Sequence, residues 1–454
     1  MISPKSIWIL IPSCILFLIL AFSFSAPLYW DTAVYIGMGK FIFSLGDSGL
    51  WEPARPLLFP ILIGALEKLS LDALLAAKIL GLIFALALSF ITFLLGKRLF
   101  NEKTGLIAAI VLLFSPTIFH FSTSGLTDVP STALALLAVY FFVSKSYFLS
   151  GIFAGLASMT RFLQLFAGII IGCFLLYGAV RKGSLKPTRS FALGFALVAL
   201  PYLALNAILY GNPFYPFILQ SFLTKVTGWL NYQAAYYYFK LLVLENFVSL
   251  FAIGGIFLAL LKINKHKILL AAILFFYLIF FSLIPQKEPR FFITFLPYIC
   301  LFSAFCLASI RFRILKTPII YFLFLAMVIQ IAPQIVKTGV SEDYGLFQDY
   351  VSRDDVNSGI WISNPAFIVN SDKKADMLIY YPTTNEEQVN RLIAEIPKAE
   401  HILINTCDIP CSPSFPDCEI AKKTFLAGLR ERFYLEKHET HGECEFLIYR
   451  KIIS

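Results

Sequence analysis

Carboxylates are almost missing from most of this chain. Residues 1–339 hold nine of them: Asp31, Asp47, Glu52, Glu67, Asp72, Glu102, Asp128, Glu245 and Glu288. Charge of either sign is thin as well, at 14% of 454 residues, where a soluble domain carries about 25%. Together with 58% hydrophobic residues and a mean hydropathy of +0.77, this excludes an ordinary soluble protein and leaves a polytopic α-helical membrane protein. No small-x-small cleavage site follows the first apolar run, Ile7 to Phe24. That run is long enough to span a bilayer, so we read it as a retained signal anchor. No His/Asp cluster has metal-ligand spacing, and neither a metal nor another cofactor is expected.

The formal charge of +9 would suit a polyanion partner if it were gathered in one patch. It is not. Residues 1–339 carry 25 Lys+Arg against nine acids, whereas residues 340–454 carry 12 against 19. The excess is a topology signal, and no nucleic-acid partner is expected. Apolar runs of roughly 17–22 residues predict about eleven spans, near 7–27, 75–96, 105–121, 129–144, 147–160, 162–180, 190–209, 240–261, 267–284, 291–309 and 317–336. The 147–180 stretch reads as one long helix or a re-entrant pair. With the N-terminus inside, the loops on its side hold 15 basic residues and a single acid, Glu102. This follows the positive-inside rule. The other eight acids fall on or near the opposite, extracytoplasmic face.

The membrane part is predicted to cover 1–336, with a first outer loop, 28–74, that reads as amphipathic helices at the interface. The polar tail, 337–454, reads as a small extracytoplasmic α/β domain. Gly359 to Asn370, His401 to Thr406 and Cys444 to Tyr449 resemble strands; Glu386 to Glu395 and Ile420 to Phe433 resemble helices. Cys407, Cys411, Cys418 and Cys444 lie in this tail. An even number on an oxidising face suggests one or two disulfides with three full pairings open, and a metal site is the competing reading. Cys14, Cys173, Cys300 and Cys306 sit in spans and read as packing residues.

The chemistry-bearing residues converge on the outer boundary. Asp31 opens the first outer loop in Tyr29-Trp30-Asp31-Thr32-Ala33-Val34-Tyr35, and Asp128 lies in Thr127-Asp128-Val129-Pro130. Arg161 interrupts the 147–180 stretch, and Lys287, Glu288 and Arg290 form Gln286-Lys287-Glu288-Pro289-Arg290-Phe291. Cations there can hold a phosphate, and a carboxylate can deprotonate a hydroxyl. Plainer uses exist for each. Asp31 and Asp128 suit helix caps, Arg161 suits snorkelling to headgroups or pairing with an acid, and Arg290 suits an interfacial anchor.

These segments, in this order, resemble the GT-C superfamily of integral-membrane glycosyltransferases, which use polyprenyl-phosphate sugars as donors. Asp31 matches the superfamily's first-loop base. Arg55-Pro56-Leu57-Leu58-Phe59-Pro60 resembles the proline-rich entry in the protein mannosyltransferase and aminoarabinose transferase branch. Thr127-Asp128-Val129-Pro130 resembles the second-loop acid motif. Lys287-Glu288-Pro289-Arg290-Phe291 resembles a signature of lipid-linked-glycan mannosyltransferases that usually begins with His, where this chain has Gln286. The resemblance implies an inverting transfer of a hexose or pentose to a glycan, lipid or protein acceptor outside the membrane. Asp31 would be the general base and Asp128 a second acid. Lys287, Arg290 and Arg161 would hold the donor phosphate, with Glu288, Tyr35 and Arg55 in support. A transporter or flippase of lipid-linked sugars is the alternative. Against it, the ionisable residues cluster at one edge and no internal repeat is visible.

Overall fold

The computed structural model describes residues 3–24, 26–261, 264–310, 344–379, 386–411, 413 and 415–452. Its membrane part is a helical bundle. In chain order the helices are α1 (Pro4–Ser23), α2 (Trp30–Phe43), α3 (Leu58–Lys68), α4 (Ala73–Leu99), α5 (Glu102–Leu113), α6 (Pro116–Ser122), α7 (Asp128–Val143) and α8 (Tyr147–Thr160). There follow α9 (Leu165–Lys182), α10 (Lys186–Tyr210), α11 (Tyr215–Thr227), α12 (Tyr237–Glu245), α13 (Phe251–Leu261), α14 (Lys265–Leu283) and α15 (Leu296–Ser309). Local signals set several ends. Ser3 caps α1 by accepting from the Ser6 amide, with Pro4 in the first turn, and left-handed Gly183 and Gly211 close α9 and α10.

Among the described residues, five helices are long and apolar enough to cross a membrane, or up to seven if two bent pairs each count as one. The predicted spans at 129–144, 147–160 and 291–309 correspond to shorter apolar helices, and 317–336 lies outside the described residues. The 147–180 stretch is two helices, parted at Arg161, whose extended backbone ends α8. Helices α8 and α10 run so close that a Cβ on Gly151 or Gly194 would collide with the other helix's carbonyls. Small residues permit such approach where lipid supplies no hydrophobic drive.

The α5–α6 pair bends by 59° at Phe114 and Ser115. A buried acid satisfies the opened backbone. Glu245 accepts from the Ser115 hydroxyl, from the Thr117 amide at 2.8 Å and from the Thr117 hydroxyl at 2.5 Å. Glu245 itself is buried, at 4% exposure. It fills a vacancy that every helix start leaves open.

The tail forms a five-stranded sheet from β1 (Ile360–Ile362), β2 (Met377–Leu378), β3 (His401–Asn405), β4 (Phe433–His441) and β5 (Cys444–Lys451), in the order β2-β1-β3-β5-β4. Strand β1 is parallel to β2 and β3, while β5 is antiparallel to β3 and β4. The period of two divides its core cleanly. Trp361, Ile402, Ile404, Leu447 and Tyr449 face α17 (Glu386–Glu395) and α18 (Cys418–Arg430). Ile360, Ile362, Leu403, Phe446 and Ile448 face α16 (Gly345–Val351) and share one cluster with Val34, Met38 and Leu50 of the first loop. Strand β4, mostly exposed and carrying His438 and His441, was not among the expected strands. The segment expected as one strand from Gly359 to Asn370 is a short strand followed by a 3-10 turn at Pro365–Asn370. Cys407 pairs with Cys444 and Cys411 with Cys418, which selects one of the three pairings over a metal site.

Helix α2 therefore belongs to both bodies. Ala33, Tyr35 and Ile36 pack into the bundle core, whereas Val34 and Met38 pack into the tail core. The expected first-loop helices exist, but every residue of α2 from Thr32 to Lys40 is buried. The Lys40 ammonium crosses the junction, donating to the Val369 and Ser371 carbonyls at 3.1 and 3.0 Å, with Glu67 and Asp372 each 3.6 Å away.

Candidate active site

The N-terminal half of α2 is fastened to the α6–α7 segment by three side chains spaced three residues apart, hence on one helical face. Tyr29 Oη lies 2.6 Å from His120 Nε2, the Thr32 hydroxyl donates to the Ser124 carbonyl at 2.6 Å, and Tyr35 Oη lies 3.2 Å from the Thr127 hydroxyl. Close approach needs Gly125, at φ +67°, since a Cβ there would meet Thr32 Cγ2 at 2.8 Å and Ala77 Cβ at 2.9 Å. This seam sets Asp31, on α2, beside Asp128, at the start of α7.

Neither acid caps its helix with a side-chain hydrogen bond; both bind arginines. Arg55, in the turn before α3, meets Asp31 Oδ1 at 2.7 Å, and Arg290 donates to Oδ2 at 2.6 Å. Arg290 stands on a 3-10 turn, Pro289–Thr294, and its Nε also lies 2.6 Å from Glu288 Oε2. Gln286 donates to the other Glu288 oxygen at 2.8 Å. Arg161 pairs with Asp128 Oδ1, while the buried Oδ2 has no hydrogen-bond partner among the described residues. The guanidiniums of Arg161 and Arg290 lie 5.1 and 5.7 Å from the Phe291 ring centroid, so one ring supports both cations.

Burial works to raise the Asp31 carboxyl, but Arg55 and then Arg290 overcome it and hold the group well below the usual carboxylate range. Burial likewise opposes charge on Arg290, and Asp31 and Glu288 more than offset it. The centre thus contains three guanidiniums and three carboxylates, all largely buried. Such a set can bind a phosphate by exchanging carboxylate partners for phosphate oxygens.

The structure brings together Asp31, Asp128, Arg161, Arg290, Glu288, Tyr35 and Arg55. Lys287 stands apart from them. Its buried ammonium donates to the Gln233 and Ile284 carbonyls at 2.9 and 2.6 Å, and burial pushes its pKa down. Sequence reasoning did not single out His120 or Tyr29. The signal available was a lone His in a Ser/Thr-rich stretch, His120 to Asp128, leading into the Asp128 motif.

The model of the Alg9-like mannosyltransferase family matches residues 53–352. No curated protein sequence matches the chain. Among solved structures the chain is similar to ArnT from Cupriavidus metallidurans bound to undecaprenyl phosphate, at TM-score 0.70 and 11% identity over 100% of this chain and 99% of that one. It is also similar to the Archaeoglobus fulgidus oligosaccharyltransferase AglB in complex with an inhibitory peptide and a dolichol-phosphate. That match has TM-score 0.61 and 10% identity over 88% of this chain and 70% of that one. The mycobacterial arabinofuranosyltransferase AftD matches at TM-score 0.54 and 12% identity, over 98% and 41% of the two chains. Identities this low speak for the fold. The family match runs through Arg55, Asp128, Arg161 and Arg290, and on it the chain belongs to the Alg9-like mannosyltransferase family of GT-C glycosyltransferases, a family of multi-pass membrane enzymes.

Proposed function

We propose that the chain moves a sugar from a polyprenyl-phosphate donor to an acceptor hydroxyl at the extracytoplasmic face, with inversion at C1 and Asp31 as general base. The observation that carries this reading is the Arg55–Asp31–Arg290 bridge, with 2.7 and 2.6 Å contacts on opposite carboxylate oxygens. A base and the cations that suit a phosphate share one point. Undecaprenyl phosphate in ArnT and dolichol-phosphate in AglB supply the class of donor by analogy. The two tail disulfides favour an oxidising compartment for residues 344–452.

In this mechanism the donor phosphate enters among Arg290, Arg161 and Arg55 and draws guanidinium hydrogen bonds from Asp31. A carboxylate stripped of one cation becomes a stronger base when the donor is in place. The acceptor oxygen attacks C1, its proton passes to Asp31, and the C1–O bond electrons leave on the lipid phosphate, whose charge the arginines stabilise. Asp128, with its remaining buried oxygen, orients the acceptor. Lys287 fixes the loop that carries Arg290.

The test incubates purified protein with a panel of polyprenyl-phosphate sugars and membrane extract and identifies the product by mass spectrometry. Asp31→Asn should cut transfer by roughly 10²–10⁴ while the variant still folds and binds donor. Undiminished transfer in that variant would sink the base assignment. Sugar movement across vesicles without a glycosylated product would favour a flippase.

A further inference from the structure

The turn that carries Arg161 is pinned from two helices at once. Arg161 ends α8 in extended backbone, and a short 3-10 turn, Phe162–Gln164, leads into α9. Gln164 stands just before α9, where a side chain commonly caps the helix, yet it makes no cap hydrogen bond. Tyr277 of α14 does that work instead. Its oxygen accepts from the Ala167 amide at 3.2 Å, and its hydroxyl donates to the Leu163 carbonyl at 3.1 Å, with Gln164 Oε1 3.3 Å away. The Gln164 amide is thereby left for α7, where Nε2 donates to the Ser131 and Thr132 hydroxyls, both at 3.3 Å.

Gln164 and Tyr277 are each 1% exposed, and polar groups so deeply enclosed are costly unless their bonds are made. Here the bonds converge on one turn of α7. Arg161 pairs with Asp128, the first residue of α7, while Gln164 binds the residues three and four positions on. The Ser131 hydroxyl in turn donates to the Asp128 carbonyl at 3.1 Å. Both ends of the 3-10 turn therefore grip the stretch of helix that carries the second acid. Helix α14 also supports the guanidinium. The Tyr277 ring stacks on Phe281 at 5.9 Å and Phe281 on Phe291 at 5.2 Å, and Phe291 is the ring beside Arg161.

We infer that Gln164 and Tyr277 are positioning residues for the donor phosphate, acting through Arg161. The inference rests on Arg161 holding that phosphate. To exchange Asp128 for phosphate oxygens, the guanidinium must swing while its backbone stays in place. An extended residue between two helices has no helical ladder to hold it there. The clamp from Gln164 to α7 and the Tyr277 bonds to the turn supply that anchor, so the fork meets phosphate in one orientation and loses less freedom on binding.

The experiment titrates undecaprenyl phosphate into the purified full chain in detergent, with undecaprenol as the phosphate-free control and thermal unfolding as the fold check. Gln164→Met keeps the side chain's length and removes its amide. It should weaken undecaprenyl phosphate about 10–30-fold and Tyr277→Phe about 3–10-fold, with undecaprenol binding within about twofold in both. Arg161→Gln should weaken undecaprenyl phosphate about 10–100-fold, and adding Gln164→Met to it should bring no further loss, because the two act as a unit. Should Gln164→Met unfold, Tyr277→Phe, which lacks a single oxygen, carries the same comparisons. Unchanged phosphate binding, equal losses for undecaprenol, or losses that multiply in the double variant each overturn the inference. Intact affinity in Arg161→Gln would instead remove the phosphate role beneath it, so the two failures are told apart.

Discussion

With a guanidinium on each oxygen, Asp31 stays ionised far below neutral pH, and its linkage to stability has a definite sign. A carboxyl depressed in the folded state stabilises above its unfolded value, about 3.9, and loses that contribution as pH falls through the folded value. Asp31→Asn should therefore cost about 1–3 kcal/mol, constant from pH 8 to about 4 and shrinking below that, read by thermal unfolding in detergent. A deficit that changes between pH 6 and 8 would contradict the arrangement, because nothing on Asp31 titrates there. At this scale the site was largely legible, since a bilayer-facing chain keeps few charges and each one stands out. Pairings were not. Arg290 and Asp31 are 259 positions apart, and Lys287 is chemically as good a phosphate ligand as its neighbour until burial turns its ammonium to backbone carbonyls. Tyr29 and His120 were invisible because tyrosine and histidine at a membrane boundary are unremarkable as types.

Among elements, the seam between α2 and the α6–α7 segment decides whether the two acids stand in register. Gly125→Ala should destabilise by about 1–3 kcal/mol, through a left-handed backbone and a Cβ pressed on Thr32 and Ala77. Transfer should fall at least tenfold (about 1.4 kcal/mol of barrier), since Asp31 and Asp128 move apart. A normal rate with normal unfolding temperature would show the seam to be slack. Apolar runs marked most helices in the sequence, as the bilayer demands. The break at Arg161 was legible, because a charge there interrupts an apolar run. The bend at Ser115 was not, because it depends on a distant partner, Glu245, that no local pattern announces. Strand β4 escaped because its residues are mostly exposed and polar, so no alternation survives at that sheet edge.

For the whole molecule, Lys40 is the charged pin between bundle and tail, beside two backbone hydrogen bonds made by Gly49 to Lys373 and Ala375. Lys40→Met should leave the Val369 and Ser371 carbonyls without their cationic donor and cost about 2–3 kcal/mol. Faster proteolytic release of the tail, with a lower kcat, is the expected readout; unchanged protection would mean that apolar packing and the backbone bonds of Gly49 to Lys373 and Ala375 hold the junction without it. The α/β character of the tail was legible in its polar composition and turn spacing, and its disulfides in the even cysteine count. Its attachment was not, because Val34 and Met38 look like any other apolar positions on a membrane helix.

That attachment bears on how such enzymes can be rebuilt. A chimaera that exchanges the tail for a relative's, cut at a convenient point after α15, would set foreign β-sheet residues against Val34, Met38 and Leu50, which were shaped for another partner. The unit that can be transplanted is discontinuous: residues 344–452 together with one face of a helix lying some three hundred positions earlier. A tail grafted without that face would leave α2, the helix that bears Asp31, without its native packing partner.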